Sequence, residues 1–130
     1  AKEKEAAAAK QKFEKELETF KALQESLQKT MEGRMSLVSQ QSETSLVKEE
    51  FDSIEEGAVI YKLVGPVMVK QNLDDAKANV EKRLEYITGE LERSDKLIAD
   101  KEKEMQEKQQ ALVRLQQAAQ EAALPAAEGE

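Results

Sequence analysis

The 130-residue chain contains no cysteine, no histidine and no tryptophan. Without cysteine there is neither a disulfide framework nor a thiolate metal site. Without cysteine and histidine, the usual nucleophile, general base and metal ligands of enzymes are missing as well. No glycine-rich phosphate-binding loop is present, because Gly65-Pro66 reads as a turn. We therefore expect a protein that is not an enzyme and that uses no cofactor and no metal ion.

Long apolar runs are also missing, since no stretch of about 18 apolar residues occurs. The sequence therefore predicts no membrane span, and residues 1–5 lack the apolar stretch of a signal peptide. The net charge is −7 with both signs interspersed, so no basic face is present that could neutralise phosphates. These features predict a cytoplasmic protein that binds neither membranes nor nucleic acid.

Aromatic residues make up only 4% of the chain, whereas 39% is hydrophobic and 36% is charged. This is too little apolar material for an ordinary globular core. It is enough for a narrow seam between paired helices, where two or three positions per heptad are buried. A disordered chain is the competing interpretation of the mean hydropathy of −0.71. The regular spacing of the apolar residues favours helices.

The first apolar stripe predicts a helix over residues 10–52, preceded by a loose extension at 1–9. Its apolar residues recur about every 3.6 positions, which is the helical period. The stripe consists of Phe13, Leu17, Phe20, Leu23, Leu27, Met31, Met35 and Val38. Residues 39–45 are polar and predict a locally weak helix, after which the stripe resumes at Leu46, Val47 and Phe51.

A second helix is predicted over residues 72–123, with Asn72 as its N-cap and a loose tail at 125–130. Its seam keeps a 3-4 spacing that is typical of a coiled coil. The seam positions are Val80, Leu84, Ile87, Leu91, Ser94, Ile98, Lys101, Met105, Lys108, Leu112, Leu115 and Ala119. Its simplest partner is the first helix, folded back antiparallel. The polar positions Ser94, Lys101 and Lys108 either specify the register or loosen the pair so that it opens to a ligand.

Between the helices, residues 58–70 predict a β-hairpin that turns at Gly65-Pro66. Both faces of the predicted strands are apolar, which implies that both are buried. A two-stranded hairpin is marginal by itself, so we expect neighbouring subunits to cover it in a shared sheet. The residues assigned to this assembly hairpin are Val59, Ile60, Tyr61, Leu63, Gly65, Pro66, Val67, Met68 and Val69.

At the other end of the helix pair, the folded-back chain brings together five apolar residues. These are Phe13, Leu17, Phe20, Leu112 and Leu115. If the helix ends splay, the five form a groove for segments of other proteins. The other interpretation is that they close the seam, and both hold if the ends fray. A structural coiled-coil scaffold that links two partner proteins is the alternative function, but it has no use for a hairpin that is apolar on both faces.

The residues 59–71 (VIYKLVGPVMVKQ) and 80–87 (VEKRLEYI) resemble the hairpin and the following helix of β-type prefoldin subunits. Gly33-Arg34 and Val47-Lys48-Glu49-Glu50-Phe51 also stand where that family has counterparts. The resemblance covers about residues 10–115 and implies that 1–130 is a single prefoldin-like domain. It implies a mainly α fold, a long antiparallel coiled-coil hairpin whose short β-hairpin joins an intersubunit β-barrel.

The resemblance also implies partners and a function. The partners are other α-type and β-type prefoldin subunits, in a hetero-hexamer of two α-type and four β-type chains. Such complexes capture unfolded or nascent polypeptides, such as actin and tubulin, with the tips of their coiled coils. They use no ATP and transfer these clients to the cytosolic group II chaperonin. By the same resemblance, the regions Phe13 to Phe20 and Leu112 to Leu115 face the client.

Overall fold

The computed structural model of the chain describes residues 2–123. Four elements follow one another: helix α1 at Lys2–Ser53, strand β1 at Ile60–Val64, strand β2 at Val67–Gln71 and helix α2 at Leu73–Ala123. Two long helices with a short antiparallel β-hairpin between them confirm the predicted fold class. The expected tail at 125–130, including the Leu124-Pro125 helix stop, lies outside the described residues.

The chain forms two compact units. The terminal unit comprises residues 1–31 and 96–130, of which 2–31 and 96–123 are described. The hairpin unit comprises residues 32–95, and thus the hairpin with the adjoining parts of both helices. Within each unit, a segment of α1 lies antiparallel to a segment of α2.

Helix α1 begins at Lys2, so the segment that we expected to be a loose extension is helical. Its alanines have the highest intrinsic helix propensity, and its lysines and glutamates also favour a helix. Ala6 and Ala9 are half-buried and continue the stripe that Phe13 begins, at a spacing of three and four residues. The small apolar face of this segment therefore packs in line with the larger residues that follow.

The stripe predicted for α1 is correct from Phe13 to Leu27 and at Phe51, and it is wrong at the positions between them. Phe13 to Leu27 are half-buried at the predicted positions, but Met31, Met35 and Val38 are exposed. Leu46 and Val47 are exposed as well. The buried positions repeat every 3.5 residues, whereas the predicted stripe assumed a repeat of 3.6 residues. The two patterns diverge by about 20° per heptad, so the predicted positions leave the seam along the helix.

Several positions on the α1 side of the seam in the hairpin unit are polar. Thr44 is buried there, and Arg34, Gln41 and Lys48 are half-buried, as are the apolar residues Leu37 and Phe51. Thr44 is 7% exposed, and its hydroxyl donates a 2.7 Å hydrogen bond to the Gln40 carbonyl. This bond satisfies the hydroxyl within the helix, so a polar residue is tolerated in the seam.

The seam predicted for α2 is confirmed, because all twelve positions are buried or half-buried. Ile87 is the most enclosed, at 1% exposed. The predicted N-cap is also confirmed: the backbone N–H of Asp74 donates to Asn72 Oδ1 at 2.8 Å. The Ala76 N–H donates to the Asn72 carbonyl at 3.0 Å and closes the first turn. Asp74 and Asp75 lie in that turn, where the helix dipole favours negative charge.

The β-hairpin pairs five residues of β1 with five of β2 in antiparallel register, from Ile60 opposite Gln71 to Val64 opposite Val67. Its two-residue loop is Gly65-Pro66. Gly65 has φ of +57°, a value that glycine adopts at no steric cost. A positive φ followed by the fixed negative φ of proline matches a type II′ turn, whose twist suits a hairpin.

Candidate functional site: an exposed hairpin and a groove in the terminal unit

The β-hairpin exposes apolar side chains on both of its faces. Residues opposite each other in the register share a face. One face therefore carries Tyr61, Leu63 and Met68, and the other carries Val64, Val67 and Val69. Leu63 and Met68 are 68% and 67% exposed, and the other four are 48–58% exposed. Each of the two opposite faces of this ten-residue hairpin therefore exposes an apolar patch of the kind that marks an interaction surface.

Both edges of the hairpin are open, since the sheet has only two strands among the described residues. The residues next to a two-residue turn form a hydrogen-bonded pair, and such pairs alternate with non-bonded ones. The backbone groups of Tyr61 and Leu63 therefore point outward on β1, and those of Met68 and Lys70 point outward on β2. Unpaired groups of this kind are a template for strands of another chain.

The root of the hairpin lies against the helices of its own unit. A groove of about 560 Å³ separates them, lined among others by Phe51, Ile60, Tyr61, Val80 and Arg83. Ile60 and Gln71, which pair at this end, are half-buried, whereas residues 61–70 are exposed. The hairpin is therefore held at its root while its length projects into solvent.

The assembly residues predicted from sequence lie together on this hairpin or its turn, apart from Val59, which precedes β1. Val59 is 52% exposed and lines a second groove near the root. The sequence prediction omitted Val64, although it pairs with Val67 and is 55% exposed. The register supplies the missing signal, because Val64 shares a face with Val67 and Val69.

In the terminal unit, a shallow and largely apolar groove of about 360 Å³ lies between α1 and α2. Its lining residues are Ala6, Lys10, Phe13, Gln116, Ala119 and Gln120. Small alanines on the two helices leave space around the Phe13 ring. The groove is open to solvent and largely apolar, so it suits an apolar side chain of another polypeptide.

Of the five residues predicted for a groove, Phe13 alone lines this one. Leu112 is 9% exposed, and Leu17, Phe20 and Leu115 are half-buried along the seam. The groove predicted from sequence did not include the other five lining residues, among them Ala6 and Gln116. A signal for Ala6 was available, because it stands seven residues before Phe13 and thus one heptad earlier on the same stripe.

Two lysines cross the seam of the terminal unit. Lys101 Nζ donates to Ser26 Oγ at 2.6 Å and to Thr30 Oγ1 at 2.9 Å. Lys108 Nζ forms an ion pair with Glu16 Oε2 at 3.1 Å. A one-heptad slip would separate each lysine from its acceptors, so these contacts support the interpretation that the polar positions specify the register.

Charge is distributed unequally between the two units. The hairpin unit has eight basic and fourteen acidic residues, which gives a net charge of −6. The described part of the terminal unit has twelve basic and eleven acidic residues, which gives +1. Among the described residues, no group of three or more acidic side chains is arranged to hold a metal ion. Neither described helix is both long and apolar enough to span a bilayer.

Two helices that pair antiparallel, joined by an exposed β-hairpin, define a class of coiled-coil hairpin proteins. The prefoldin subunit family matches this chain over residues 14–119. Prefoldin subunit 6 of Mus musculus is 41% identical over 118 residues, which cover 91% of this chain and 93% of the mouse protein. Prefoldin subunit 6 of Saccharomyces cerevisiae is 38% identical over 96 residues, covering 74% and 84%. The chain belongs to the prefoldin subunit family.

The fold agrees with that membership. The crystal structure of the prefoldin beta subunit from Thermococcus strain KS-1 has a TM-score of 0.71, covering 88% of this chain and 95% of the archaeal one. The sequence identity to that chain is 21%, so this comparison supports the fold alone. Prefoldin subunits are chaperone components, and membership in the family implies assembly with other prefoldin subunits.

Proposed function

We propose that this chain is a β-type subunit of a cytoplasmic hetero-hexameric chaperone that works without ATP. In this complex, two α-type and four β-type prefoldin subunits assemble through their hairpins. The observation that carries the proposal is the hairpin, which exposes apolar side chains on both faces and backbone groups on both edges. A coiled-coil scaffold that only links two partners would not need such an element.

The assembly step is the burial of this hairpin in an intersubunit β-barrel. Edge strands of sister chains pair with the outward backbone groups of β1 and β2, and the barrel closes over one apolar face. The second face is covered by further sister strands or helices. Each fully buried Val, Leu or Met side chain contributes roughly 1.5–3 kcal/mol. The five such residues on the two faces, together with Tyr61, supply enough free energy to offset the entropy of association.

The client-binding step takes place at the groove in the terminal unit, next to Phe13. Unfolded or nascent polypeptides, such as actin and tubulin chains, place apolar side chains there. Burial of one such side chain yields roughly 1.5–3 kcal/mol, which by itself corresponds to a dissociation constant above about 1 mM. Several subunits acting on one client raise the avidity by orders of magnitude.

Release of the client follows from the small binding free energy of each groove. Because each contact is weak, the client leaves one groove at a time and no nucleotide hydrolysis is required. A client that loses its exposed apolar segments by folding loses its affinity as well. The complex passes the unfolded client to the group II chaperonin, and this chain supplies binding surface and no catalytic residue.

Ala119→Glu tests the client step, because it places a carboxylate in the groove without removing a large seam residue. We expect the complex that carries Ala119→Glu to suppress aggregation of unfolded actin less well. The number of subunits in the complex should be unchanged. The loss is partial, since the other subunits keep their grooves. Ala118→Glu is the matched control, because Ala118 is exposed and does not line the groove. Equal suppression by the two variants would exclude this groove from client binding.

A further inference from the structure

In the hairpin unit, the side of α1 that faces away from α2 carries large apolar residues, whereas several positions that face α2 are polar. Met35 and Leu46 are 71% and 61% exposed. Gln41 and Thr44 occupy inward positions instead, and Thr44 is buried. A helix that packed against α2 alone would be patterned the other way, with its apolar residues inside. The inversion implies a second packing partner for α1.

The outward residues repeat like a coiled-coil seam. We define the back face of α1 as Met35, Val38, Ser39, Ser42 and Leu46. Met35, Ser39, Ser42 and Leu46 follow one another at steps of four, three and four residues, which is a heptad spacing. A partner that matches this spacing is a helix, since a strand would require a two-residue period. The serines are small and let a helix approach closely.

Charge is depleted around the back face. Residues 35–47 contain one charged residue, Glu43, although 36% of the whole chain is charged. Depletion of charge is the compositional mark of the centre of a protein interface. At the average composition of this chain, a segment of the same length would carry four or five charges.

Apart from Arg34, the charged residues that border the back face are acidic. Glu32, Glu43, Glu49 and Glu50 each lie three or four residues from Met35 or Leu46 and therefore beside them on the helix surface. Of the nearby cations, Arg34 pairs with Asp95 at 2.6 Å. Lys48 lines a groove with Glu81 and Glu85 of α2. Acidic borders call for lysine or arginine on the partner, and they disfavour a second copy of this chain.

We propose that the back face of α1 packs against a helix of a neighbouring prefoldin subunit, whose uncharged stripe is bordered by lysine or arginine. The inference rests on the proposed function, because the hairpin of the same unit brings the sister chains together. It adds a second contact, between helices, to the contact made by the strands. Charge pairing across it selects which subunit becomes the neighbour.

A cysteine placed on the back face tests the inference, because the chain has no cysteine of its own. Ser42→Cys is co-expressed with the partner subunits, and its alkylation by a soluble maleimide is followed from the intact mass of this chain. We expect alkylation about tenfold slower in the complex than in the free chain, since about 90% or more of the sites are covered. Lys82→Cys, on an exposed position of α2, should react equally fast in both.

The outcomes separate the inference from the proposed function. If the complex forms and Ser42→Cys reacts as fast as in the free chain, the inference is wrong and the proposed function stands. If no complex forms, the proposed function fails and the inference fails with it. If the free chain protects Ser42→Cys in a concentration-dependent manner, a second copy covers the face and the proposed partner is wrong.

The charge of the borders provides an independent test. Glu43→Lys should raise the concentration at which half of the complex dissociates by about tenfold, through repulsion of the partner's basic border. Glu18→Lys makes the same change of net charge in the terminal unit and should leave that concentration unchanged. Equal behaviour of the two variants would exclude charge pairing at this face.

Discussion

Two opposing free energies act on the Lys101 side chain: the gain from its hydrogen bonds and the cost of desolvating its charge. Its ammonium group has three acceptors within 3.4 Å, all of them neutral oxygen atoms of Ser26 and Thr30. The hydrogen bonds stabilise the pair, and the partial desolvation of the charge destabilises it. Its value to the fold therefore lies in specifying the register, because an apolar residue would pack in several registers.

Lys101→Met should accordingly stabilise the terminal unit by about 1 kcal/mol, because an apolar side chain at a seam position needs no desolvation of charge. Amide hydrogen exchange of residues 22–30 in the assembled complex would then slow about fivefold. Lys103→Met removes the same charge from an exposed position and should leave the exchange unchanged. Faster exchange in Lys101→Met would mean that the hydrogen bonds contribute more than desolvation costs.

Gly65 and Gly33 should respond in opposite ways to alanine. Gly65 has a positive φ, so a side chain there is strained even though no atom lies within 4 Å of the place that a Cβ would occupy. Gly33 is helical, and the space that its Cβ would take is open as well. We expect Gly65→Ala to destabilise the hairpin and weaken assembly, by about 1 kcal/mol. Gly33→Ala should raise helix stability by up to about 1 kcal/mol. Thermal unfolding of the two complexes measures the difference, and a higher midpoint for Gly65→Ala would contradict the turn assignment.

At the scale of the elements, α2 could be predicted from sequence more fully than α1. The α2 seam keeps a strict 3-4 spacing that starts at a clear N-cap, so the buried face follows position by position. In α1 the apolar residues Met35, Val38 and Leu46 lie on the outer side, and Thr44 lies inside. Hydrophobicity alone therefore points to the wrong face. The face that packs against α2 is determined by the partner helix, which a pattern within one helix does not contain.

The β-hairpin is the element through which assembly can be interrupted without touching the helices. Val67→Lys with Val69→Lys places two ammonium groups on one face of the hairpin. In the free chain both positions are exposed, so the helical content should be unchanged. In a barrel they would be buried and unpaired, at a cost of about 3–5 kcal/mol each. We expect loss of the complex in size-exclusion chromatography, with an unchanged helical circular dichroism spectrum.

The matched control for that variant uses two exposed apolar residues of α2. Leu97→Lys with Val113→Lys makes the same change of charge at positions of similar exposure, 46% and 47%. This control should assemble normally. An intact complex from the Val67→Lys, Val69→Lys variant would show that the hairpin face is not buried by sister chains.

On the scale of the whole molecule, composition predicts the type of fold but not the details of its surfaces. Sparse aromatics and abundant charge pointed to paired helices, and the described residues form them in both units. The location of the terminal groove depends on where Ala6 and Ala119 meet across the helix pair. Small residues give a weak hydrophobic signal, so the sequence pointed to the larger residues Leu17, Phe20 and Leu115 instead.

Native mass spectrometry of this chain co-expressed with candidate partner prefoldin subunits tests the central claim most directly. The claim is that the hairpin of this 14.6 kDa chain is completed by sister chains. We predict a complex of six chains that includes this one, in which the backbone amides of residues 60–71 are protected from hydrogen exchange. A folded monomer with those amides already protected, or a pair with a single partner chain, would contradict the account.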